Sequence, residues 1–103
     1  MTIDAIRQRF PRPCTAGTFR GVPASEVPAQ VYCVGTALCH VAGLACLPPF
    51  PPAMLVRDAL MRLNPALTIA WAMTYAEALL RANEARYFDD AWEIASTALS
   101  VGP

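Results

Sequence analysis

Three cysteines and the chain's one histidine fall within the fifteen residues YCVGTALCHVAGLAC, positions 32–46. Thiolates and imidazoles ligate structural zinc, and a thiol beside an imidazole is the nucleophile–base pair of covalent catalysis. Cys33, Cys39, His40 and Cys46 therefore raise both chemistries, and their spacing decides between them. On one continuous helix Cys33 and His40 point within about 20° of each other, yet seven residues at about 1.5 Å each hold them about 10 Å apart. A thiol and its base must come within about 3 Å. Cys39 and Cys46 share another face at the same separation, while adjacent Cys39 and His40 diverge by about 100°. The short C-x₂₋₄-C knuckle typical of zinc sites is missing. What remains of a metal or redox site is the set Cys14, Cys33 and His40, which only a loop bringing Cys14 over the helix would assemble.

Packing explains the same residues more completely. Gly35, Cys39 and Gly43 recur at every fourth position beside Thr36, Ala42 and Cys46, a ridge of small side chains that lets another helix approach closely. Reduced cysteine behaves in a core as a small hydrophobe, and Val31, Val34, Leu38, Val41 and Leu44 fill much of the remaining circumference. His40 then falls at the rim. Reduced thiols are the expectation for all four cysteines, because MTIDAIRQRF lacks the apolar run of a secretory signal.

Other reactive groups form no catalytic set. The chain has eight arginines, no lysine and eight carboxylates, for a net charge of zero. Asp89 and Asp90 precede a helical pattern, where Asp90-Ala-Trp-Glu93 has capping-box spacing. Glu-x-x-His, a Gly-rich phosphate loop and a nucleophile elbow are all missing from the sequence. Enzymatic activity and a bound cofactor are therefore not expected. Neutral charge without a dense basic stripe argues against nucleic acid, and the apolar runs break before the roughly 18 residues that span a bilayer. The lack of lysine suggests a GC-rich bacterial source, and a cytoplasmic location is expected.

The elements that position these residues read as helices. Ile3, Ile6 and Phe10 share one face of a short N-terminal helix that Thr2 can cap and that Pro11 and Pro13 end. Residues 11–28 form an irregular Pro/Gly-rich connector. Helices are expected over about 30–45, then 52–63 after the stiff LPPFPP linker, then 69–86 with Thr68 as cap, then from Asp90 to about Ser100. The fold class is all-α, a small bundle of four to five helices with a long irregular N-terminal connector. Residues 1–103 make one domain, in which 1–29 is the short helix plus connector and 30–101 the helical core.

In the fourth helix Trp71, Tyr75, Ala78, Leu79 and Ala82 fall in one apolar stripe, opposite Thr74, Glu77, Arg81 and Glu84. That stripe is expected to face the core, like Val56, Ala59, Leu60 and Leu63 in the third helix and Trp92, Ala95 and Leu99 in the last. Met54 and Met61, seven apart between Arg57 and Asp58, place adaptable apolar side chains on an otherwise polar face. With 55% apolar residues, against about 45–50% in ordinary domains, the chain is expected to cover part of its surface with another copy or a partner. The leading functional expectation is a non-enzymatic protein-interaction module, a homodimer or a subunit docking on a partner, with Met54, Met61, Arg57 and Asp58 as its surface. A thiol site that binds metal or senses redox state is the alternative. A small-molecule pocket lined by Phe19, Trp71 and Tyr75 between the central helix and the connector is a third.

Overall fold

The computed structural model describes residues 3–9, 33–44, 51–85 and 87–102, and 78% of these are helical. Among the described residues there are five helices and no strand: α1 (Ile3–Arg9), α2 (Val34–Val41), α3 (Ala53–Leu63), α4 (Ile69–Glu84) and α5 (Phe88–Ser100). The all-α architecture read from the sequence is the one that forms. Cys14, Phe19 and Cys46 lie outside the described residues, as do Thr2, Phe10 and the whole 11–28 connector.

Local chemistry sets most of the helix ends. Pro52 stands at the N-cap of α3, and Thr68 caps α4 by accepting a 3.2 Å hydrogen bond from the Trp71 amide. Helix α2 is shorter than its sequence pattern at both ends. Cys33 is extended, with φ −71° and ψ 161°, so the helix begins only at Val34. At the other end Gly43 takes φ 77°. The Gly43 amide donates to the His40 carbonyl at 3.1 Å, and the Leu44 amide donates to Cys39 at 2.9 Å. This is a Schellman stop, which needs a residue tolerant of left-handed backbone. Gly43 thus ends the helix instead of continuing its ridge of small residues.

Helix α5 also differs from expectation, because Asp90 is not its cap. The Tyr87 amide donates back to Ala82 at 2.8 Å, which starts α5 at Phe88 and leaves Asp89 and Asp90 inside the first turn. There both carboxylates meet the positive end of the helix dipole, a favourable place without a capping bond.

Short turns fold α4 back on α3 and α5 back on α4, and α2 touches all four other helices. One core cluster runs through them, including Ile6, Leu38, Val56, Leu60, Leu79 and Trp92. Where α2 crosses α3 and α4, a Cβ on Gly35 would lie 3.1 Å from Leu80 Cδ2 and 3.2 Å from Pro51 Cγ. The close approach expected of the small-residue ridge is therefore present at Gly35.

Asn64 fastens the opposite end of the bundle. Its side-chain oxygen accepts from the Ala66 amide at 3.1 Å. Its amide nitrogen donates to the Ala98 carbonyl at 3.0 Å and the Val101 carbonyl at 2.7 Å. One side chain thus forms the α3–α4 turn and satisfies two carbonyls at the C-terminal end of α5. Each such bond contributes about 1 kcal/mol net. Asn64→Ala is expected to lower stability by about 2–3 kcal/mol in urea unfolding, and Asn64→Asp to do no better, because it would set a carboxylate oxygen against the Ala98 and Val101 carbonyls.

Candidate interaction surface

The facing of α4 decides what the surface offers. Its buried residues are Ala72, Ala76, Leu79 and Asn83, a stripe centred about 110° from Trp71 at 100° per residue. Trp71 is 59% exposed. Tyr75, Ala78 and Ala82 are half-buried. The expected inward orientation of Trp71 is therefore corrected. The cause is steric: α4 lies between α3 and α5, and alanines at 72 and 76 let those neighbours approach more closely than an indole would. Thr74, Glu77, Arg81 and Glu84 are exposed, as the polar face requires.

The Trp71 and Tyr75 rings meet in a tilted contact, with centroids 5.9 Å apart and planes inclined by 32°, a separation within the range that favours aromatic pairs. Tyr75 packs partly buried against the core, so the contact holds the exposed indole against a ring anchored in the molecule. Phe19, the third residue of the expected pocket, lies outside the described residues.

The methionine face divides. Met54, in the first turn of α3, is 58% exposed, while Met61 packs partly buried against the core. Between them Arg57 Nε donates to Asp58 Oδ1 at 3.0 Å, so these two charges are directed at each other. Among the described residues, Ile69 and Tyr87 are the remaining large apolar side chains with substantial exposure, at 61% and 64%. They sit at the starts of α4 and α5, where a helix extends past its neighbours. No periodicity marks such positions, so the sequence pattern alone would not find them.

The cysteine-rich stretch is assembled differently from a thiol–imidazole site. Cys33 is buried and disulfide-bonded, so the expectation of a reduced thiol does not hold at this position. While that bond is intact its sulfur is neither a thiolate ligand nor a nucleophile. Cys39 is a fully buried thiol, and His40 is half-buried at the last turn of α2. Among the described residues no group of three or more His, Cys, Asp or Glu side chains is arranged to hold a metal ion. No described helix is long and apolar enough to cross a membrane.

Two further polar features stand apart. An open groove of about 280 Å³ runs between α1 and α5, lined by Ile3, Asp4, Arg7, Asp89, Trp92 and Glu93. Arg7 and Asp89 form an ion pair across it. The pair links α1 to α5 within one chain, and at this exposure it contributes about 0–1 kcal/mol. Deeper inside, Asn83 is 1% exposed, and among the described residues neither its amide nitrogen nor its oxygen has a hydrogen-bond partner.

Comparison of the chain with protein-family models, with curated proteins and with solved structures gives no match.

Proposed function

We propose that the chain is a non-enzymatic helical interaction module that pairs through the outer face of α4, with a second copy of itself as the partner. The exposed Trp71 indole, in ring contact with half-buried Tyr75, carries this reading. Trp71, Tyr75, Ala78 and Ala82 follow one another at spacings of four, three and four residues, the seam on which two helices interlock. Large side chains occupy one half of the seam and alanines the other. Two such helices laid antiparallel put the rings of each copy over the alanines of the second. Tryptophan and tyrosine are also the residue types that dominate binding energy at interfaces. The apolar excess of the composition is the second support. The bacterial cytoplasm expected from the sequence enters the proposal too. The disulfide at Cys33 is the observation that opposes it, since such bonds rarely persist among cytosolic reductants.

Sedimentation equilibrium tests the pairing. The wild-type chain is expected to sediment as a dimer. Trp71→Ala is expected to weaken association by about 30-fold or more, the cost of truncating a hot-spot tryptophan, with helix content by circular dichroism unchanged. Met54→Glu is the control for the methionine face and leaves association as it was; Met61 is unsuitable because it packs on the core. A monomeric wild-type chain rejects the second copy as partner. A dimer that is insensitive at Trp71 but lost in Met54→Glu moves the surface to α3.

A further inference from the structure

Helix α2 touches every other helix of the bundle, yet little in its own sequence holds it in place. It has eight residues, where an isolated helix needs about 12–15 to be even marginally stable in water. The Cys33 side chain makes no capping hydrogen bond, and no acidic residue stands in the first turn. Its C-terminus is closed by the Gly43 stop. At the N-terminus the backbone of Cys33 provides the first acceptor, 2.8 Å from the Ala37 amide. The side chain of that same residue is in a disulfide and is 1% exposed. The covalent bond therefore stands where a capping residue would.

We infer that the Cys33 disulfide is a redox-controlled anchor of α2, which keeps the central helix docked when oxidised and loosens its N-terminal turn when reduced. A dithiol reductant supplies two electrons and two protons. The sulfur–sulfur bond breaks, two protein thiols form, and the reductant leaves as its own disulfide. Burial of Cys33 shields its own sulfur from direct attack until the first turn opens locally. The inference does not depend on the α4 pairing, because Trp71 lies on a different helix and its partners play no part in it.

The test begins with the purified chain equilibrated in an oxidising glutathione buffer, unfolded in guanidinium and alkylated without reductant. Peptide mapping is expected to find Cys39 alkylated and Cys33 unmodified, with Cys33 linked to Cys14 or Cys46. Amide hydrogen exchange then compares the folded protein before and after dithiothreitol. Exchange at Ala37–Val41 is expected to accelerate about ten-fold or more on reduction, while the amides of α4 change little. The Cys33→Ser variant should reproduce the fast exchange, and Cys39→Ser, if it folds, should remain sensitive to the reductant. Alkylation of Cys33 in the oxidised sample overturns the inference. So does α2 exchange that is unchanged after verified reduction of wild-type protein, a result that needs no variant to fold.

Discussion

Asn83→Leu is expected to stabilise the chain, an unusual outcome for a fully buried position. The carboxamide of Asn83 leaves water on folding and gains no hydrogen bond from the described residues in return. Burying an unmatched polar group costs about 1–3 kcal/mol by mutational measures. Leucine has the same branching and removes both polar atoms. It is also the better helix former by a few tenths of a kcal/mol. Against this stands its larger volume, and overpacking costs about 1–3 kcal/mol where nothing can shift. Asn83 sits in the last turn of α4, where helix ends adjust more readily than centres, so the desolvation gain should prevail. Urea unfolding should show a gain of about 1–2 kcal/mol with an unchanged slope. Asn83→Asp should move the other way, because a carboxylate there would be an unpaired buried charge. A destabilised Asn83→Leu together with a destabilised Asn83→Ala would mean that the carboxamide does have a partner in solution.

The largest loss is expected from Leu38→Ala. Leu38 is fully buried on the helix that contacts every other. Truncating a buried leucine costs about 2–5 kcal/mol, and the upper part of that range applies where the surroundings cannot collapse. The backbone of α2 cannot move inward, because at Gly35 it is already within a methyl group's reach of Leu80 and Pro51. A loss of about 4 kcal/mol is a large share of the roughly 5–15 kcal/mol that stabilises an ordinary domain. Thermal unfolding should show a much lower midpoint or a melted near-ultraviolet spectrum at 37 °C. Leu38→Met, which conserves volume, should cost less than about 1.5 kcal/mol.

Helices and their breaks were legible in the sequence because they depend on neighbours within a turn. Thr68, the LPPFPP linker and the polar face of α4 all act locally. The inward faces of α3 and α5 were legible for a related reason, since each has one apolar side and a clear polar one. Helix α4 has apolar residues over most of its circumference, so hydrophobicity could not choose its inner side. The choice was made by shape: Ala72 and Ala76 admit neighbours and Trp71 does not. Gly43 could equally extend a small-residue ridge or end a helix, and only the tertiary path separates the two. The cap of α5 was misplaced because a backbone bond from Tyr87 to Ala82 outranks the capping-box spacing at Asp90. Of the candidate surface, Met54 was legible as exposed, while the outward Trp71 indole depended on the same unreadable rotation of α4.

Helix α2 has a consequence for the order of folding. Helices α3, α4 and α5 are joined by turns of a few residues and make the most extensive helix contacts in the molecule, so their association closes only short loops. Docking α2 brings it against partners far along the chain, which costs more chain entropy before any contact repays it. The hairpin of three helices is thus the natural nucleus, and α2 completes the core after the rate-limiting step. The penalty of Leu38→Ala should then fall mostly on the unfolding limb of a chevron plot, with refolding nearly as fast as in the parent chain. A helix that touches all the others in the finished structure would be the last to arrive and the first to leave.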